Sequence, residues 1–119
     1  MPNPISRTAY YTLGVRAADA ATPKPILGDA FAQRFMNDDA KALWAEFKAF
    51  RPANASNAAR HAIIDTHLAR ALARDAHATV VLVGAGFDTR AFRLKGGYWF
   101  ELDEPEILSY KESRLPAAT

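Results

Sequence analysis

The chain has 119 residues, half of them apolar and 24% charged, with a net charge of +2. That balance describes one small globular domain with a modest core. The absence of cysteine excludes disulfides and thiolate metal sites. Scattered rather than striped basic residues disfavour nucleic acid. No apolar run reaches the length of a signal-peptide core or a membrane span, so a cytoplasmic protein that engages no membrane is expected.

Residues 1–5 contain Pro2 and Pro4 and read as an extended arm. Ser6 is placed to cap a helix running to about Ala21, with Tyr10, Leu13 and Ala17 on one side. Thr22-Pro23-Lys24-Pro25 ends it. Asp29 is read as the cap of a short helix holding Phe31 and Phe35. Asp38 or Asp39 is read as the cap of another, through Leu43, Trp44, Phe47 and Phe50. Arg51 to Asn57 (RPANASN) is a loop by composition. Ser56 or Asn57 then starts the longest helix, ending near Ala76, with an apolar ridge of Ile64, Leu68 and Leu72 joined by Ile63 and Ala71. His67 lies near that ridge and is expected in the core.

The stretch from Thr79 to Asp103 organises the rest. Val80-Val81-Leu82-Val83 suits a parallel strand buried on both faces. Gly84-Ala85-Gly86 makes a tight turn where a ligand can approach the backbone. Fourteen residues separate Val83 from Tyr98, enough for a short parallel crossover, and Lys95-Gly96-Gly97 turns the chain into a second strand, Tyr98 to Leu102. Asp103 follows, nineteen positions after Gly84, near the spacing at which an acid meets a ribose hydroxyl. Strand, glycine turn, crossover, strand and acid make the plan of a nucleotide-type binding unit. Thr89 stands where a dinucleotide fingerprint wants its third glycine, which weakens a nicotinamide or flavin reading. Glu104-Pro105-Glu106 then starts a helix with Ile107, Leu108 and Leu115 on its apolar side.

GAGFDTRAFRL followed by WFELDEPEILSYKESRL resembles the first two conserved blocks of the leucine carboxyl methyltransferase-like family. RTAYYTLGVRAADA and AARHAIIDTHLARAL resemble its N-terminal helices. The resemblance implies an α/β, Rossmann-like methyltransferase fold that uses S-adenosyl-L-methionine (SAM) to methylate an oxygen of a small-molecule acceptor. It also implies an arginine near the start of the long helix, here Arg60, that holds the SAM carboxylate bidentately. Residues 1–56 are then a helical cap, and residues 57–119 the first part of the SAM-binding domain. Family members continue through further strands, and two parallel strands alone leave faces and edges uncovered, so a fragment truncated after the second strand is expected.

The candidate cofactor-binding residues are Arg60, Gly84, Ala85, Gly86, Asp88, Glu101 and Asp103. Asp103 accepts hydrogen bonds from the ribose hydroxyls or caps the following helix. Glu101, on the same strand face, bonds the glycine-turn backbone or stays exposed. Asp88 pairs with Arg90, caps the short helix or lines the pocket. Arg16 is a second candidate for the carboxylate, and Phe87 is expected in the core. No general base is assigned, and the three histidines lack metal-ligand spacing. The alternatives are a nicotinamide- or flavin-binding oxidoreductase unit and a non-catalytic module that self-associates through its open sheet edge.

Overall fold

A computed structural model of the chain describes residues 5–115. The extended arm expected at the start lies, except for Ile5, outside them. α1 (Arg7–Ala20) begins where Ser6, in extended backbone, accepts a hydrogen bond on Oγ from the Ala9 amide at 3.1 Å. Its end is held by Asp19, whose carboxylate accepts from the backbone amides of Ile26, Leu27 and Gly28. The proline-rich stretch thus folds back over the last turn.

α1 is the central helix, buried at Tyr10, Leu13, Gly14 and Ala17. Gly14 lets the next helix come close: a Cβ there would lie 2.7 Å from Cε3 of Trp44. Asp29 does not head a regular helix. The chain makes only a 3₁₀ turn (Ala32–Phe35), with the Asp29 side chain drawn inward beneath it.

α2 (Asp38–Phe47) is capped by Asn37, whose Oδ1 accepts from the Ala40 amide at 2.8 Å. Asp38 and Asp39 sit in the first turn instead, where their charge faces the positive end of the helix dipole. Phe50 lies beyond the end of α2 and immediately before α3.

α3 (Arg51–Arg74) spans 24 residues and absorbs the whole segment expected as a loop. Pro52 falls in the first turn, where its missing N–H costs nothing. Asn54 is satisfied by tertiary partners: it donates to the Phe47 carbonyl and accepts from the Tyr11 hydroxyl at 2.6 Å. Local composition read as turn chemistry is overridden by those contacts. The expected apolar ridge is also only partly buried. Leu72 and Ala58 pack inward, while Ile63, Ile64 and His67 are exposed.

β1 (Thr79–Val83) and β2 (Tyr98–Leu102) pair in parallel, with Thr79 opposite Tyr98 and Val83 opposite Leu102. A single turn, α4 (Arg90–Arg93), forms the crossover. Gly97 enters β2 at φ +84°, where a Cβ would also meet Leu72 at 2.9 Å. The expectation of a strand buried on both faces is corrected: Val81, Val83, Phe100 and Leu102 form one exposed apolar face. Paired residues of parallel strands point to the same side, and no described element covers that side.

α5 (Pro105–Arg114) opens on Pro105 and buries Ile107. The core forms where helices meet the glycine turn. Phe87 stacks on Tyr10 and Phe35, and Tyr110 meets it edge-on.

Candidate functional site

The glycine turn wraps over the tip of β2. The Gly84 and Ala85 amides both donate to the Leu102 carbonyl, at 2.8 and 3.1 Å. Gly84 and Gly86 have φ of +66° and +50°, the left-handed region that a residue with a Cβ avoids. A Cβ on Gly84 would meet nothing within 4 Å, so its backbone opens into free space.

Asp103 points at this turn. Its Oδ2 accepts from the Gly86 amide at 2.7 Å, and its Oδ1 from the Glu104 amide at 2.7 Å. Each oxygen keeps a lone pair for a further donor. The opposite side of Gly86 is held by Lys111, a buried ammonium that donates to the Gly86 carbonyl at 3.2 Å and to Glu101 at 2.6 Å. Glu101 therefore does not bond the turn directly. On that side the turn presents a carbonyl, which a carboxylate cannot bond, and the ammonium between them satisfies both.

Behind the turn lies a buried network of three arginines and three aspartates. Asp88 accepts on Oδ1 from the Arg90 amide and on Oδ2 from its guanidinium, so it pairs with Arg90 and holds the turn before α4, whose N-cap position is Thr89 and not Asp88. Arg90 Nε and Arg93 Nη1 converge on the two oxygens of Asp65 from α3. Arg93 Nε donates to Thr89 Oγ1 at 2.8 Å and lies 3.6 Å from Asp29. Arg16 donates to Asp29 at 3.2 Å and to the Phe87 carbonyl at 2.8 Å. Thr89, fully buried, supplies an acceptor that a third glycine would lack.

Burial sets the titration of this region. It lowers the Arg16 guanidinium from its ordinary value, and Asp29 partly offsets this. Burial alone would raise Asp65, but hydrogen bonds from Arg93 and Arg90 outweigh it and hold the carboxyl below its usual range. His61 is pushed down to about 4, first by burial and then by Arg90 and Arg16. Its carbonyl accepts from Arg90, and its Nε2 sits 3.4 Å from Arg93 Nη2.

A cleft of about 490 Å³ opens in front of the turn. Thr8, Thr12 and Arg16 of α1 form one wall, and Asn57, Arg60 and His61 of α3 another. The floor is Gly84, Ala85, Gly86, Asp88 and Asp103. Six of the seven residues singled out from sequence thus meet in one cleft, with Glu101 behind it. Arg60 is exposed there, and its side chain has no ion pair or hydrogen bond among the described residues. Arg16 also lines the cleft, but its guanidinium is committed to Asp29 and Phe87.

Sequence reasoning assigns no site role to His61, Asp65 or Lys111, and reads Asp29 only as a helix cap. The expected pairing of Asp88 with Arg90 is the local hint of the network. Its other carboxylates, Asp65 and Asp29, are far away in sequence. Among the described residues no cluster of His, Asp or Glu is placed to hold a metal ion, and no helix is long and apolar enough to cross a membrane.

The fold and cleft define an α/β unit in which a glycine turn and an acid at adjacent strand tips meet under a helical cover. The chain belongs to the leucine carboxyl methyltransferase family, whose family model matches residues 9–119. It is 34% identical, over 95% of its length, to a provisionally named SAM-dependent methyltransferase of Mycolicibacterium smegmatis. It is 35% identical over 95% to one of a Parafrankia species, and 30% identical over 93% to one of Mycobacterium marinum. The chain spans about 41% of the length of these relatives.

Proposed function

We propose that this chain carries the SAM-binding part of an O-methyltransferase with a Rossmann-like fold, acting on a carboxylate or hydroxyl of a small molecule. The observation that carries the reading is the arrangement at Gly86. Asp103 is tied to its amide at 2.7 Å, while the uncommitted Arg60 lines the same cleft. The fit to SAM rests on the donor set. Arg60 offers a guanidinium fork to the carboxylate of the methionine portion. Asp103 has lone pairs left for the ribose hydroxyls. The bare backbone at Gly84 admits close approach.

When bound, SAM supplies a methyl group on a positively charged sulfur. The chain's own residues bind and orient; their contribution to rate is positioning. Asp88 and the Lys111–Glu101 pair act one step back, holding the turn. α1 and α2 serve as the helical cap and α3 begins the binding domain; the division expected between residues 56 and 57 falls inside α3, which runs unbroken from Arg51 to Arg74.

Calorimetric titration with S-adenosylhomocysteine tests this, on the chain and on the protein carried through to the end of its reading frame. Binding is expected in the longer protein, with none for NADH. The reverse result refutes the reading in favour of an oxidoreductase unit. A second reading has its own observation. The exposed face of Val81, Val83, Phe100 and Leu102, beside two strand edges, suits self-association. A non-catalytic pairing module should dimerise in light scattering whether or not S-adenosylhomocysteine is present.

A further inference from the structure

Two buried cations grip the back of the glycine turn on successive carbonyls. The Lys111 ammonium, from α5, donates to the Gly86 carbonyl at 3.2 Å and is paired with Glu101 of β2. The Arg16 guanidinium, from α1, donates to the Phe87 carbonyl at 2.8 Å and is paired with Asp29. Both cations are buried. A neutral donor could satisfy a carbonyl without the desolvation that an ion pair costs. A charged donor makes the shorter and stronger bond, and so fixes the direction of the peptide that accepts it.

The peptide that Lys111 fixes carries the Phe87 amide. None of the described peptide bonds is cis, so the Phe87 N–H points opposite to the Gly86 carbonyl. With Lys111 behind, that N–H faces the side where Asp103 holds the Gly86 amide, which is the floor of the cleft. Phe87 lines the cleft although its ring is wedged between Tyr10 and Phe35, so what it shows the cleft is backbone. The amides on either side are taken. Gly86 donates to Asp103 at 2.7 Å, and Asp88 to the Ala85 carbonyl at 2.9 Å. The Phe87 amide donates to no group among the described residues. An orphaned donor in a buried residue is rare, because it forfeits a hydrogen bond that water would have supplied. Held against a cleft, it is placed for the acceptor of a ligand.

The surrounding charge selects that acceptor. An ammonium on the Gly86 carbonyl polarises the peptide and strengthens its N–H as a donor. Arg60 brings a further positive charge to the same cleft. Of the polar groups of SAM, only the carboxylate is anionic.

We propose that Lys111 is a positioning residue of the cleft: by holding the Gly86 carbonyl, it aims the Phe87 amide at the carboxylate of the bound cofactor. This rests on the methyltransferase reading above. Lys111 itself stays behind the turn with Glu101, and its effect passes through a single peptide group. Arg16, on the next carbonyl, keeps Phe87 from rotating out of place.

The test compares two probes, S-adenosylhomocysteine and its decarboxylated analogue, which lacks only the carboxylate. Both are titrated into the protein carried to the end of its reading frame, and into its Lys111→Met and Lys111→Arg variants, with circular dichroism as the check on folding. The parent should prefer S-adenosylhomocysteine, Lys111→Met should shrink that preference about fivefold, the scale of one backbone hydrogen bond, and Lys111→Arg should restore part of it. General damage to the cleft would weaken both probes alike, so a preference unchanged in Lys111→Met overturns the proposal. Failure of the parent to bind S-adenosylhomocysteine overturns the cofactor reading instead, and this proposal with it. Should Lys111→Met not fold, the parent decides by NMR. Residues 1–119 contain one Gly-Phe step, so isotope labels on the glycine carbonyl and the phenylalanine nitrogen pick out the Phe87 amide. Its proton signal should move downfield with S-adenosylhomocysteine and not with the decarboxylated analogue; a response to both, or to neither, overturns the proposal.

Discussion

Replacing Asp65 by asparagine perturbs the buried network at the point where α3 meets α4. The Asp65 side chain is 13% exposed and accepts from both Arg90 Nε and Arg93 Nη1. Asparagine keeps one acceptor oxygen but replaces the other with an NH₂ group facing a guanidinium donor. One charge-assisted bond is lost outright, about 1.5–3 kcal/mol. The full cost of unpairing a buried charge, about 3–5 kcal/mol, is not reached, because Arg90 keeps Asp88 and Arg93 keeps Thr89 and Asp29.

The expected loss is about 2–3 kcal/mol. With a urea slope of about 1.5 kcal/mol per molar, the unfolding midpoint should fall by about 1.3–2 M. Urea titration followed by circular dichroism measures it directly. The sign with pH is also set. The folded Asp65 carboxyl is held below its ordinary value of 3.8. Its stabilisation is therefore present above that value and is lost as pH falls through the folded one. Asp65→Asn should accordingly flatten the acid limb of the stability profile. A midpoint shift smaller than about 0.3 M would show that the network closes without Asp65, and the reasoning would fail.

Other consequences can be measured on the same protein. Asp103→Ala, in the protein carried to the end of its reading frame, should weaken S-adenosylhomocysteine at least about tenfold, on the scale of a lost charge-assisted bond; unchanged affinity would remove Asp103 from the site. Lys111→Met leaves Glu101 without its partner and the Gly86 carbonyl without its donor. It should cost about 2 kcal/mol in urea unfolding, with Lys111→Arg recovering part of it; a silent Lys111→Met would mean the turn holds itself. His61, lowered to about 4 from 6.5, is neutral in the folded chain above the lower value. Its contribution is complete above pH 6.5 and declines as pH falls toward 4. Proton NMR should show its ring untitrated between pH 7 and 5.5, and a midpoint near 6.5 would place it in solvent.

Elements whose signals are local were legible. Ser6 before a periodic apolar run, the proline cluster at 22–25 and Gly96-Gly97 before Tyr98 all carry their structural meaning within a few residues. So do the two strands and the turn between them. RPANASN misled because its local chemistry is that of a turn, while Asn54 is satisfied by Phe47 and Tyr11 through packing that no window of sequence contains. Ile63 and Ile64 have helical periodicity, but periodicity says only which residues share a face, not whether anything covers it. At the cleft, the glycines and the acid could be read because spacing alone brings them together. Lys111 could not, since its role depends on α5 folding back so that its ammonium fits between a strand carboxylate and a turn carbonyl. The pairing of Arg93 with Asp65 and Asp29 is likewise a product of tertiary packing.

The ring of Phe87, one residue after Gly86, is wedged between Tyr10 and Phe35. The turn cannot swing open without pulling that ring from the interior of the helical layer, so folding itself has already removed the freedom that an incoming ligand would otherwise have to freeze. Occupying the cleft should then tighten α1 and α5 along with the strand tips, and solvent exchange at amides of those helices, far from the ligand, becomes a gauge of whether the cleft is filled.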